Sequence, residues 1–361
     1  MTLKPSSVVV ALSGGVDSSV AAALLLREGW EVEGLHFYLP ARQSKTQAQM
    51  QAKRQAKESM VRKVAEHLHI PVSVLDLEEE FTRRVIGPFC DAYRKGLTPN
   101  PCVRCNPEVK FQQLLGFADE KGIDWVATGH YARLEREGTG RVRLWRGKDP
   151  RKEQSYFLHR LSLAQLSRTL FPLGTMTKTE TRRLANELGL PTSREPESQE
   201  VCFLGDSDYR GFLEQEGAGY VQKKGDIVDT KGRKKGEHLG TYRYTIGQRH
   251  GLGIASSRPY YVKELIPEKN LVVVGRKEEV FSSRVEVDSF HWLGEDLPRG
   301  PVQVLAQIRY RHRAAPARLK TLTGGRASVD FDRPQWAVTP GQALACYEGE
   351  RLLGGGWIKK E

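Results

Sequence analysis

Three cysteines and one glycine-rich turn are the residues of this chain whose types and spacing can do chemistry. Cys102 and Cys105 form a Cys-x-x-Cys pair, and Cys202 stands in the segment ESQEVCFLG, with polar residues before it and Gly205 after it. A Cys-x-x-Cys pair has three uses: half of a zinc site, a redox couple, or a nucleophile with a companion thiol. A structural zinc needs four ligands, and no second Cys-x-x-Cys or His pair follows at finger spacing. Cys90 and Cys346 sit in amphipathic or strand-like surroundings and read as small packed hydrophobes. The turn is Ser13-Gly14-Gly15-Val16-Asp17-Ser18-Ser19, directly after the apolar run Val8 to Leu12. Paired glycines let a backbone approach a ligand closely, and a helix N-terminus offers unpaired N–H groups and a positive dipole end. That combination cradles phosphate. It lacks both the Gly-x-x-x-x-Gly-Lys-Ser/Thr and the Gly-x-Gly-x-x-Gly patterns, so it is neither the ordinary P-loop nor a dinucleotide fingerprint.

Positioning such a turn takes a strand before it and a helix after it. The β-branched run Val8–Val10 reads as a buried strand and the stretch from Ser18 as a helix that closes at Gly29. EVEGLHFY (31–38) and the run from Ile70 to Leu77 read as further strands, with apolar residues at helical spacing between them from Met60 to Leu68. This alternation predicts a parallel sheet with helices on both faces, whose ligands bind at the carboxyl ends of the strands. Residues 41–58, almost free of large apolar side chains, read as an exposed helix or a mobile loop. Residues 78–95 read as helix interrupted at Gly87-Pro88, and the prolines of GLTPNPCVRCNPEVKF (96–111) predict irregular chain before a helix that continues to Lys121. Trp125 to Thr128 reads as a short strand ending at Gly129-His130, and Thr177 with Glu180 forms a capping box. From Asp206 onward short strands take over: IVDT, HLGTYRYTIG, YYVKELI, NLVVVG, VQVLAQIRYR, ASVDF and LACYEG. Such spacing predicts small β-barrels or sandwiches. The expected division is 1–205, 206–280 and 281–361.

Bulk properties narrow the class. A chain of 361 residues exceeds one typical core, and no apolar run approaches the roughly 20 residues of a membrane span. The lack of a secretory pattern at the start and the odd count of five cysteines argue against a disulfide framework, and a cytoplasmic setting with reduced thiols is expected. The net charge of +12 favours a polyanionic partner. Residues 301–329 contain Arg309, Arg311, Arg313, Arg318, Lys320 and Arg326 with no acidic residue, and Tyr310 adds an aromatic face for a base.

The words SGGVDSS, LTPNPCVRCNPEVKF, ATGHYAR, KEQSYFL, FPLG, SQEVCFLG, YTIGQRHGLGI, IRYR and VTPGQALACYEG together resemble, in order, the landmarks of the tRNA-specific 2-thiouridylase family across nearly the whole chain. The resemblance implies an N-terminal ATP pyrophosphatase domain of the PP-loop type, a small central domain and a C-terminal β-barrel. It implies ATP-dependent adenylation of the C2 oxygen of the wobble uridine, then replacement of that oxygen by sulfur, with AMP and pyrophosphate released. On that pattern Cys202 carries a persulfide from a donor protein, Cys105 is the nucleophile, and a Cys105–Cys202 disulfide results. Asp17 helps hold Mg²⁺, with helix capping as its other use. ATP contacts map onto Ala11, Leu12, Ser13, Gly14, Gly15, Val16, Asp17, Ser18, Phe37 and Gly129, and tRNA contacts onto His130, Lys152, Glu153, Gln154, Arg309, Tyr310 and Gln342. Both thiols need activation by positive charge or helix ends, and Arg104 and Lys110 are the nearby cations in sequence. Many members carry Asp where this chain has Cys102, and three thiols (Cys102, Cys105, Cys202) open an alternative, a [4Fe-4S] cluster with one open iron. A monomer is expected in the free state. The competing readings are a PP-loop ligase or amidotransferase, which needs neither the cysteine pair nor a basic barrel, and a non-catalytic RNA-binding module, which would tolerate loss of Cys105 and Cys202.

Overall fold

The structure, a computed structural model, describes residues 6–40, 47–138, 141–197, 201–204, 208–216, 223–294 and 296–360. It divides into two compact units: Met1–Val85, Cys102–Asp206 and Glu350–Leu352 make one, and Ile86–Pro101, Ser207–Gly349 and Leu353–Glu361 the other.

The first unit contains β1 (Ser7–Ala11), α1 (Val16–Arg27), β2 (Glu31–Tyr38), α2 (Gln47–Leu68), β3 (Val72–Asp76), β4 (Trp125–Ala127), the antiparallel pair β5 (Ala132–Arg136) and β6 (Val142–Arg146), and β7 (Thr169–Leu170). Its five-stranded sheet runs β3-β2-β1-β4-β7 with every pairing parallel. The apolar run of β1 is continuous because both of its faces are covered. Val8, Val10 and Leu12 pack with Ala22 and Leu25 of α1 and Val61 and Ala65 of α2. Val9 packs on the other face with Leu114 and Ala118 of the helix Phe111–Glu120. Burying each such side chain contributes about 1.5–3 kcal/mol, which fixes the loop that leaves β1.

The second unit holds two β-structures. β8 (Gly225–Asp229), β9 (Lys234–His238), β10 (Tyr261–Ile266) and β11 (Leu271–Gly275) form a sheet in the order β10-β11-β8-β9. β12 (Phe281–Trp292), β13 (Val302–Gln307), β14 (Ala315–Leu322), β15 (Arg326–Trp336), β16 (Ala343–Glu348) and β17 (Arg351–Ile358) follow. Their order β12-β15-β14-β13-β16-β17 closes through β12 against β17 into a six-stranded barrel. Inward Ala317 and Leu319 join its core while Arg318 and Lys320, between and beyond them, are exposed.

Several expectations need correction. The 96–111 stretch is irregular only over its first residues, because Pro101–Cys105 is α-helical and Asn106–Lys110 is a π-turn leading into Phe111–Glu120. A proline is tolerated where its missing N–H has no partner to lose, as at the first position of a helix and in a widened turn, and the carbonyl of Pro107 accepts from Gln165 Nε2 instead (3.0 Å). HLGTYRYTIG is not one strand: β9 stops at His238, Gly240 takes φ +123, and Thr241–Arg243 is a 3₁₀ turn. VQVLAQIRYR stops as a strand at Gln307, whose amide donates to Arg309 O (3.2 Å), and Arg311 takes φ +65. The basic residues 309–313 therefore lie in a turn. Strands β12, β14 and β17 had no counterpart in the sequence pattern. Residues 47–58 are helix, the first part of α2, while 41–46 lie outside the described residues.

Candidate active site

The loop after β1 is locked from within. Gly14 takes φ +75, and a Cβ there would lie 3.3 Å from Val61 Cγ2, so glycine serves both conformation and space. Ser18 Oγ accepts from Ser13 N (3.1 Å) and donates to Gly15 O (3.1 Å), and Ser19 Oγ donates to the same carbonyl (2.9 Å). Before the turn, Leu12 N donates to Leu35 O (2.8 Å) and Leu12 O accepts from the buried His36 Nδ1 (2.7 Å). Burial lowers the pKa of His36, which keeps the ring neutral with its proton on the nitrogen that meets the carbonyl. Gly129 completes the cradle: a Cβ there would lie 2.9 Å from both Asp17 C and Ser18 N. The strand end must pass this close to the start of α1, and only glycine allows it.

Asp17 faces a cation that sequence reasoning missed. Lys178 Nζ lies 2.6 Å from Asp17 Oδ1 and 2.7 Å from Oδ2, and Tyr131 Oη donates to Oδ1 (2.8 Å). Burial, then the charge of Asp17, raises the Tyr131 pKa and keeps that phenol a donor. Lys178 opens the helix Lys178–Glu187 behind the Thr177–Glu180 capping box, and its backbone N–H donates to the buried Asp149 (3.0 Å). Only the box was visible in the sequence; a pair 161 positions apart leaves no local signal.

A cavity of about 1240 Å³ runs from this loop to Cys202. Its wall includes Ala11, Leu12, Ser13, Asp17 and Ser18, the β2 end from His36 to Tyr38, one face of α2 from Met50 to Glu58, Lys110, Phe111, Gly129, His130 and Gln154. Of the residues assigned to ATP, Phe37 both lines the cavity and packs against the Val9–Leu114 core. Val16 is buried in a separate core with Val20 and Leu173, so it offers only its backbone.

Around the thiols the electrostatics differ from expectation. Cys202 is exposed and Cys105 is 3% exposed. Burial pushes the Cys105 thiol up to about 12 and Cys102 to about 11, each against the pull of Lys110. Lys110 is the cation that reaches the thiols, while Arg104 pairs with Glu108 (3.4 Å). Burial works against the charge of Lys110, but Cys105, Cys202 and Cys102 outweigh it and raise its pKa. Beside it, burial and then Lys110 push His130 down to about 3, so the imidazole is neutral, with Nδ1 2.7 Å from Thr128 Oγ1. None of the five cysteines is in a disulfide.

The residues assigned to tRNA fall in both units. In the first, His130 and Gln154 line the cavity, and Gln154 Oε1 accepts from Tyr131 N (3.0 Å). Lys152 pairs with Glu197 (2.7 Å), and Glu153 is buried against Arg146 (2.9 Å), which turns its carboxylate inward. In the second, Arg309 Nη1 donates to Trp336 O (3.1 Å), and Gln342 Nε2 donates to Thr98 O (2.9 Å). Tyr310 lies beneath Arg311, 5.8 Å from ring centre to guanidinium.

Among the described residues no group of three His, Cys, Asp or Glu side chains comes together to hold a metal ion. Cys102, Cys105 and Cys202 are thus not gathered as a metal-holding group in this structure. Mg²⁺ makes a smaller demand, one carboxylate plus phosphate oxygens and water, and Asp17 at the cavity wall fits that role. No described helix is long and apolar enough to cross a membrane.

Residues 6–206 match the tRNA methyl transferase HUP domain family, 211–276 the tRNA methyl transferase PRC-barrel domain, and 282–358 the aminomethyltransferase beta-barrel domain. The chain is 50% identical to the tRNA-specific 2-thiouridylase MnmA of Geobacter metallireducens, over 97% of this chain and 96% of that protein. It is 46% identical to the protein of the same name from Geotalea uraniireducens, over 99% and 96% of the two chains. With Syntrophotalea carbinolica the figures are 45%, 99% and 100%. With a glycine-rich strand-to-helix loop and an exposed cysteine on one cavity, and relatives matched from end to end, this chain belongs to the tRNA-specific 2-thiouridylase family of sulfurtransferases.

Proposed function

We propose that this enzyme adenylates the C2 oxygen of the wobble uridine of tRNA and then replaces that oxygen with sulfur carried on Cys202. The observation that carries this reading is the single cavity joining the Ser13–Ser18 loop to Cys202. Chemistry demands the pairing. A carbonyl oxygen leaves poorly as oxide, and attack by that oxygen on the α-phosphorus of ATP converts it into AMP, a good leaving group, while pyrophosphate departs. The backbone N–H groups at the start of α1 bind the phosphates. Mg²⁺, when bound, shares the charge of the departing pyrophosphate. Lys178 balances Asp17 until then and adds a positive charge beside the phosphates.

Sulfur arrives as a persulfide on Cys202, whose exposure suits loading by a separate donor protein. The terminal sulfur attacks C2, and AMP leaves with the original oxygen. Cys105 then attacks Cys202 Sγ, so that the S–S bond breaks towards the uridine sulfur and a Cys105–Cys202 disulfide forms. Lys110 stabilises the anionic sulfur at each stage, and neutral His130 offers a hydrogen bond without competing charge. The exposed Arg318 and Lys320 of the barrel, with Arg311 and Arg313 in the preceding turn, suit a phosphate backbone. Phe37 borders the adenine end of the cavity. The three regions 1–205, 206–280 and 281–361 divide the work into adenylation and thiolation, a central β-rich connector, and tRNA binding, in a monomer.

The test is to change Cys105 and Cys202 separately to Ser. Both variants are expected to lose 2-thiouridine formation while still attaching AMP to tRNA. Full thiolation by either variant would overturn the reading.

A further inference from the structure

Cys102 has no part in the two-thiol reaction, yet it shares a helix with Cys105 and feels the charge of Cys202. It lies three residues before Cys105 in the helix Pro101–Cys105. At 1.5 Å rise and 3.6 residues per turn, Cα atoms three apart are about 5 Å from one another, inside the roughly 4.4–6.8 Å that a disulfide spans. The two positions differ in access, since Cys102 is half-buried and Cys105 nearly sealed.

We propose that Cys102 is a resolving thiol, which after each sulfur transfer moves the disulfide from Cys105–Cys202 to Cys102–Cys105 and returns Cys202 as a reduced thiol for reloading. The inference rests on the persulfide reading above. The step is an exchange within the chain. The Cys102 thiolate attacks Cys105 Sγ, a Cys102–Cys105 bond forms, the Cys105–Cys202 bond breaks, and its electron pair leaves on Cys202 Sγ. The proton given up by Cys102 is matched by one taken up at Cys202, so no net oxidation occurs. An external dithiol later supplies two electrons and two protons to the Cys102–Cys105 bridge, entering at the more accessible Cys102 sulfur.

The surroundings favour the exchange once the first disulfide exists. Burial holds the Cys102 thiol protonated in the reduced enzyme, and the charge on Cys202 adds to this while Lys110 opposes it. When Cys202 is tied in a disulfide that opposing charge is gone and Lys110 remains. Burial hinders an outside thiol at the Cys105 sulfur, and attack at the exposed Cys202 sulfur would occupy the very thiol that must be reloaded, so the relay moves the bridge off Cys202.

The test is one round of thiolation with persulfide-loaded enzyme, ATP and tRNA in the absence of reductant, followed by acid quench, alkylation and mapping of bridged peptides. The wild-type enzyme is expected to end with Cys102 bridged to Cys105 and Cys202 alkylated. Cys102→Ser is expected to stop at the Cys105–Cys202 bridge. A wild-type enzyme that ends at Cys105–Cys202 would overturn the relay alone. Thiolated tRNA with no bridge at Cys105 in either protein would overturn both the relay and the persulfide reading beneath it.

Discussion

The two ends of the cavity are prepared in opposite ways. At the phosphate end the loop is already held in place: Ser18 ties Ser13 to Gly15, His36 holds Leu12, and Lys178 balances Asp17. An incoming anion meets donors that need no rearrangement. At the sulfur end, burial keeps Cys105 and Cys102 protonated, and one lysine opposes that. On the reaction proposed above, the loop is set before tRNA arrives, whereas burial withholds the Cys105 thiolate.

Substitutions can separate the two ends. The largest expected effect is Cys202→Ser or Cys105→Ser, which should lower thiolation by at least about 10³-fold while leaving AMP attachment within about twofold; counting thiouridine and tRNA-bound AMP in the same reaction checks both. Lys178→Met leaves Asp17 without its cation. Because Asp17 is 31% exposed, the stability loss should fall near the lower end of the range for a broken pair, about 3 kcal/mol, read by urea denaturation. Gly129→Ala forces a methyl against the backbone of Asp17 and Ser18 and should weaken ATP binding by about tenfold, as expected of 1–3 kcal/mol of overpacking. Calorimetric titration with ATP measures it, and unchanged thiol alkylation would confine the damage to the loop.

The most gradual effect is on pH, at most about 1.4 kcal/mol for each unit. His130 titrates at about 3 in the folded chain against about 6.5 unfolded, so the unfolded chain binds more protons between those values. Stability is therefore complete above about pH 6.5 and falls with acidification by up to about 1.4 kcal/mol per unit until pH nears 3. His130→Gln should flatten part of that slope, and denaturation midpoints from pH 7 to 4 would show it.

The phosphate end was far more legible in the sequence than the sulfur end. Strand, glycine turn and helix follow one another within thirty residues, and local pattern is enough to place them. The capping box at Thr177 was equally local and is present with both hydrogen bonds. What failed was either long-range or rested on a rule with exceptions. Prolines at 101 and 107 suggested broken chain, yet both sit where a helix can do without their N–H. Arg309 to Arg313 continued an alternating pattern that a positive φ at Arg311 ends. Strand β14 hides its period behind exposed Arg318 and Lys320, and β17 behind glycines that let it approach β12, where a Cβ at Gly354 would lie 2.1 Å from His291 O. The partnership of Asp17 with Lys178 and the burial that governs Cys105 belong to tertiary packing, which spacing does not encode.

The central claim is that the loop turns the uridine oxygen into a leaving group before sulfur enters. It is tested most directly by thiolating tRNA whose wobble uridine carries ¹⁸O at C2 and locating the label by mass spectrometry. One ¹⁸O is expected in the phosphate of each AMP released. Label found in water with unlabelled AMP would contradict it.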